Sequence, residues 1–114
     1  MSKKVLLAGA TGYLGQHIAK ELSQQKIDAL IIVRYKNSKM IDFNGSESVI
    51  AEVTQPESLE GIMENVDVVI STIGITKQKD GLTYLDVDYQ ANKNLLMEAK
   101  KAGVKKFIYV SALN

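Results

Sequence analysis

The 114-residue sequence contains no cysteine and no tryptophan, one proline and one histidine. Without cysteine there is no disulfide framework, no thiol nucleophile and no zinc–thiolate site. One histidine, His17, with no carboxylate cluster near it, gives no basis for a metal site, and it reads as a solvated helix residue. Neither sign of charge dominates: 14 Lys and Arg against 13 Asp and Glu leave a formal charge of +1. That balance offers no electrostatic reason to propose nucleic acid or an acidic membrane as partner. Long apolar runs are also missing, and none approaches the roughly 20 residues that a membrane-spanning helix needs. Met1-Ser2-Lys3-Lys4 leads into a short apolar run with no small-residue cleavage pattern behind it, so no signal peptide is expected. The expectation is one cytoplasmic α/β domain over residues 1–114, long enough for a real core.

What the sequence does have is Gly9-Ala10-Thr11-Gly12-Tyr13-Leu14-Gly15, directly behind the apolar run Val5–Ala8. A buried strand that runs into three glycines at i, i+3 and i+6, with an amphipathic segment after them, is the physical recipe for seating a pyrophosphate on a helix N-terminus. Gly9 allows a tight turn off the strand. Gly12 allows close approach of the backbone to phosphate, and Gly15 allows the helix to lie close on the sheet. The spacing differs from the dehydrogenase-type G-x-G-x-x-G, so the fingerprint is met in mechanism and not in letter.

The remaining chain alternates strands with helical patterns. Val5–Ala8 is the first strand, and Tyr13 to about Gln25 is helical, with Leu14, Ile18 and Leu22 on one side. Ala29–Val33 is the second strand and Ser48–Val53 a weaker third. Pro56 suits the first turn of a helix that carries Leu59, Ile62, Met63 and Val66, with Thr54 or Gln55 near its cap. Asp67–Thr72 is the fourth strand. A long helix follows from about Leu85 to Ala102, with Val87, Ala91, Leu95 and Ala99 on its core stripe and Gly103 as its C-cap. Lys106–Ser111 is the fifth strand. The pattern predicts a doubly wound, Rossmann-type parallel sheet with strands in the order 3-2-1-4-5, truncated after the fifth.

In such a sheet ligands bind beyond the carboxyl ends of the strands, where the winding reverses between strands one and four. The segments within reach are Gly9, Thr11, Gly12, Tyr13, Leu14 and Gly15 of the loop; Arg34–Tyr35; Glu52–Val53; Ser71–Gly74, including Ile73; and Ser111–Asn114.

Together with Val33-Arg34, Glu52-Val-Thr-Gln-Pro-Glu-Ser-Leu59, Ser71-Thr-Ile-Gly74 and Gly103-Val-Lys-Lys-Phe-Ile-Tyr-Val-Ser111, the glycine loop resembles the atypical short-chain dehydrogenase/reductases. That group includes NmrA-like and epimerase-like NAD(P)-binding proteins. The resemblance covers nearly the whole chain but only the family's N-terminal, cofactor-binding part. It implies an NAD(P)-binding domain of an oxidoreductase, epimerase or isomerase, with the alternative of a non-enzymatic NmrA-like redox sensor that binds NADP(H) and a protein partner. A remnant fold without ligand is the third reading.

In NAD-binding relatives of this fold an acidic residue about 20 positions past the glycines holds the ribose 2′-hydroxyl. Arg34 stands there instead, with Lys36 and Lys39 behind it, and a guanidinium suits a 2′-phosphate. NADP(H) is therefore favoured over NAD(H), the competing reading being a solvated strand-end charge. Thr11 offers a hydroxyl to the cofactor, to the helix cap, or to both. The family carries Gly-Asp where this chain has Ala51-Glu52, and the resemblance gives Glu52 the adenine amino group. Gly74 resembles the glycine that lets the loop pass under the ribose and nicotinamide.

Reductases of the family use a Ser or Thr at the end of strand five, then Tyr-x-x-x-Lys on the next helix. Ser111 resembles that serine, as a vestigial catalytic group or as a hydroxyl bonded to backbone or cofactor. Tyr35/Lys39 and Tyr89/Lys93 have the spacing but precede Ser111, so the catalytic set is expected to be incomplete. Surface packing or a subunit contact is the competing role for Tyr89/Lys93. The apolar edge Phe107–Val110 and a second stripe of Leu85, Tyr89 and Leu96 on the long helix lead to the expectation of a homodimer through one of these faces.

Overall fold

The computed structural model describes residues 3–10, 13–33, 47–73 and 81–110. Within them the elements are β1 (Lys4–Ala8), α1 (Tyr13–Gln24), β2 (Asp28–Val33), β3 (Glu47–Ile50), a 3-10 turn (Pro56–Leu59), β4 (Val68–Ser71), α2 (Gly81–Ala102) and β5 (Lys106–Tyr109). The five strands form one sheet in the order β3-β2-β1-β4-β5, and every pair is parallel. This is the predicted doubly wound order. Because β1 is central and helices cover both faces, it has no solvent side, which is why Val5–Ala8 is uniformly apolar and buried.

Alternate residues of the central strands feed two cores. Leu6, Ala8, Leu30, Ile32 and Val69 point toward α2 and the 3-10 turn, where they meet Leu59, Met63, Leu95 and Ala99. Val5, Leu7, Ala29, Ile31 and Val33 point the other way and pack with Ala19 and Leu22. The central strands are thus fixed on both faces, and their carboxyl ends make a rigid platform. At the opposite end, Asp67 ties three strands together. Its carboxylate accepts from the Lys4 amide at 3.0 Å, its own amide donates to the Lys4 carbonyl at 2.9 Å, and its carbonyl accepts from the Lys105 and Lys106 amides.

The helix expected after Pro56 does not form. Pro56 opens a four-residue 3-10 turn, and the chain then runs through successive turns to Asn65. Gly61 and Asn65 both have positive φ, at +78° and +67°, which an α-helix does not accommodate. The expected apolar positions still reach the core, since Leu59, Met63 and Val66 are buried. Turns closed by Ile62 N–H to Leu59 O, Glu64 N–H to Gly61 O and Val66 N–H to Met63 O bring residues three or four apart to one side almost as a helix would. Gln55 does stand at the cap of this turn, but its side chain makes no cap hydrogen bond.

Other boundaries shift by less. The third strand ends at Ile50 and not at Val53, the fourth at Ser71 and not at Thr72, and the long helix starts at Gly81, one turn before Leu85. Gly103 closes α2 at φ +78°, with its amide on the Lys100 carbonyl and the Val104 amide on that of Ala99. Lys26 closes α1 by the same pattern at φ +57°. Strand β5 ends at Tyr109 and lies at the sheet edge, with Ile108 and Tyr109 exposed.

Leu95 is fully buried between α2 and the sheet. Leu95→Ala should lower unfolding stability by about 2–5 kcal/mol, the range for emptying such a site. Urea denaturation followed by circular dichroism measures it, and a loss below about 1 kcal/mol would contradict this packing.

Candidate functional site

Beyond the carboxyl end of β1 the chain has four residues, Gly9 to Gly12, before α1 begins at Tyr13. Gly9 has φ +92°, a conformation that residues with a Cβ rarely adopt. A Cβ there would also strike the Thr72 hydroxyl. Thr72, at the end of β4, donates its amide to the Ala8 carbonyl at 3.0 Å, and its hydroxyl lies 3.2 Å from the Gly9 carbonyl. The loop behind β1 is therefore pinned by the loop behind β4, across the point where the winding reverses.

Gly15, in the first turn of α1, packs backbone to backbone on Gly9. A Cβ at Gly15 would overlap the Gly9 carbonyl oxygen and crowd the Ala10 Cα. The helix start is held against the strand end with no room for a side chain between them. No acidic residue stands in the first turn of α1, so its positive end is not offset by side chains of its own turn. A tight glycine turn and an uncompensated helix N-terminus at the switch point together suit an anionic pyrophosphate. The residues present fit a dinucleotide.

Of the other predicted positions, Leu14 is half-buried at the start of α1. Val53 and Ile73 are half-buried at the ends of the β3 and β4 connections and pack on the α2-side core. Glu52 is half-buried, and its carboxylate accepts the Thr54 amide at 3.3 Å and hydroxyl at 2.9 Å, a local turn that fixes the acid just past β3. Ser58 holds the same turn from below: its hydroxyl lies 2.7 Å from the Glu52 carbonyl and accepts the Glu52 amide at 3.0 Å. Thr11, Gly12, Arg34, Gly74, Ser111 and the Tyr35/Lys39 pair lie outside the described residues, as does the Tyr13 side chain. Tyr89 is 69% exposed on α2 and Lys93 is exposed one turn on.

Two side chains around the site escaped the sequence reading, Asn92 and Asn94 of α2, while Thr72 lay within the predicted Ser71–Gly74 segment. Asn92 Oδ1 accepts from the buried Ser71 hydroxyl at 2.5 Å, and its Nδ2 donates to the Ile73 carbonyl at 3.3 Å. Asn94 Nδ2 donates to the Val53 carbonyl at 2.9 Å while its Oδ1 accepts from Gln90 at 2.8 Å. One signal was available. Asn94 stands three residues after Ala91, on the helix's core side, where a buried amide must find partners.

The family model described as NAD(P)H-binding matches residues 9–114. The chain belongs to this NAD(P)H-binding family. It is 32% identical over 111 residues to the photosystem II assembly factor Ycf39 of Synechocystis, covering 96% of this chain and 34% of that protein. It is also 32% identical over 123 residues to the chloroplastic divinyl chlorophyllide a 8-vinyl-reductase of Arabidopsis thaliana, covering 96% of this chain and 29% of that one. Among solved structures, WbmG of Bordetella bronchiseptica in complex with NAD superposes with a TM-score of 0.76 at 22% identity, over 96% of this chain and 37% of its own. At that identity the likeness concerns the fold. The chain spans about a third of the length of these proteins. In this NAD(P)H-binding family member, as in the resemblance drawn from the motifs, the matched part is the cofactor-binding one.

Gly15→Ala places a methyl group on the Gly9 carbonyl. Overpacking against backbone should cost about 1–3 kcal/mol of stability, together with a loss of dinucleotide affinity. Thermal unfolding and a fluorescence titration check both, and an unchanged protein would show that the close approach is not there.

Proposed function

We propose that the chain is the dinucleotide-binding portion of an NADPH-dependent reductase or epimerase of the short-chain type. The observation that carries the proposal is the loop in which Gly9, at positive φ, and Gly15 meet backbone to backbone at the switch point. In this reading the Gly9–Gly15 loop and the start of α1 hold the pyrophosphate, with Thr11 and Gly12 lining it. Glu52 and Val53, beyond β3, border the adenine. Ile73 and Gly74, beyond β4, run beneath the nicotinamide half. When bound, the nicotinamide gives or takes a hydride. The protein's part is to hold the ring against the β4 loop and to keep the charged phosphates at the helix end.

Arg34 carries the preference for the phosphorylated cofactor. It directly follows Val33, the last residue of β2, and β2 is the neighbour of β1 on the side away from β4. That is the ribose side of the crevice in this fold. A guanidinium there suits a phosphate dianion and has no carboxylate to offer a 2′-hydroxyl. Reductase chemistry as the class is supported by the kinship to the divinyl chlorophyllide reductase. Ser111, two residues past β5, is assigned the place of the family's strand-end serine. The Tyr89/Lys93 pair is left outside the chemistry, because both residues are exposed on α2, before Ser111 in the chain.

Calorimetric titration with NADPH and NADH tests the assignment. Arg34→Ala should weaken NADPH by about 1.5–3 kcal/mol, the range for hydrogen bonds to a charged group, and leave NADH nearly unchanged. Equal losses for the two cofactors would remove Arg34 from the 2′-phosphate.

A further inference from the structure

We propose that Asn92 and Asn94 are positioning residues that tie the two sides of the cofactor crevice to a single helix. The inference rests on dinucleotide binding by the family and not on which of the two cofactors is preferred. Two positions apart on α2, the two side chains leave the helix in nearly opposite directions, on either side of the buried ridge Ala91, Leu95 and Ala99. Each ends on the backbone of a different strand-end loop.

Asn92 closes a ring of three hydrogen bonds. The Ser71 hydroxyl donates to Asn92 Oδ1, Asn92 Nδ2 donates to the Ile73 carbonyl, and the Ile73 amide donates back to Ser71 Oγ at 3.3 Å. The ring fixes the first residues beyond β4. Between Ser71 and Ile73 stands Thr72, whose amide and hydroxyl pin Ala8 and Gly9. Asn92 therefore sets the β4 loop against the phosphate loop without reaching the ligand itself. Asn94 holds the Val53 carbonyl beyond β3, 41 residues away in sequence, next to the turn that fixes Glu52. Asparagine is a poor helix former, so two of them near the middle of a helix carry a cost that these tertiary bonds offset.

Both amides work as donors to a carbonyl, and this is what an isosteric carboxylate cannot do. Asn92→Asp keeps the size and the acceptor for Ser71 but sets an oxygen against the Ile73 carbonyl. Asn94→Asp does the same at Val53. The two ends of the crevice differ in ligand. The β2–β3 side takes the adenosine half, and the β4 side takes the other.

The test uses the dinucleotide that the wild type binds and its adenosine half without the 5′-phosphate, adenosine or 2′-AMP. For Asn92→Asp the dinucleotide dissociation constant should rise about tenfold, while the adenosine half stays within about twofold. For Asn94→Asp both ligands should weaken by similar factors. A general loss of folding would not split the ligands in this way. Ser71→Ala, which opens the same ring from the other side, should reproduce the Asn92→Asp split. Amide hydrogen exchange of the ligand-free protein reads the same coupling directly, with faster exchange expected at Ile73 and Thr72 and none at Leu6 or Ile31. Equal losses of dinucleotide and adenosine half in Asn92→Asp overturn the proposal, as does unchanged exchange at Ile73.

Discussion

The close approach of Gly15 to the Gly9 carbonyl is the contact on which the rest depends. It brings the first turn of α1 onto the end of β1 with only backbone between them. A helix that starts this close to a strand end directs its unpaired amides at the switch point of the sheet. A side chain at Gly15 would move the helix start outward, and one at Gly9 would strike the Thr72 hydroxyl beyond β4 and force a strained φ. The phosphate loop is in this sense made of missing atoms, and its positive field comes from the backbone of the α1 start. That fits a protein whose formal charge is only +1.

Such a loop needs support, because turns carry few apolar contacts of their own. The support comes from the platform beneath and the polar side chains beside it. Beneath, β1 and β2 are locked between two cores. Beside it, Thr72 bridges from β4, and the α2 asparagines hold the loops after β4 and β3. Among the described residues every buried side-chain polar atom has a partner, as expected where low dielectric makes an unpaired group costly. Glu98, buried on α2, follows the same logic: it accepts the Gly61 amide at 3.3 Å and pairs with Lys101 at 3.6 Å. It thereby secures the turn-rich segment after Pro56, whose backbone departs from helical geometry at Gly61.

The strand order and the glycine loop were legible in the sequence because both rest on local patterns. Apolar runs alternating with helical stretches dictate right-handed crossovers, and the three glycines sit within seven residues. Gly103 was legible as a cap for the same reason. The segment after Pro56 was not, because Leu59, Met63 and Val66 satisfy a helix and a series of 3-10 turns equally well. Only the positive φ of Gly61 and Asn65 separates the two, and no periodicity reports it. Asn92 and Asn94 were missed because their partners lie 19 to 41 residues away. A contact of that range leaves no trace in a local window, although a buried-side asparagine announces that some partner must exist.

The backbone of the Gly9–Gly15 loop is the proposed seat of the ligand's phosphates. Titrating the 15N-labelled chain with NADPH and with NADH, and following every amide, tests it most directly. The largest shifts are expected on Gly9, Gly12 and Gly15, with smaller ones at Ile73 and Glu52. Shifts confined to the shallow groove between Pro56, Met97 and Lys101 would contradict it, and so would binding that leaves the three glycine amides unmoved.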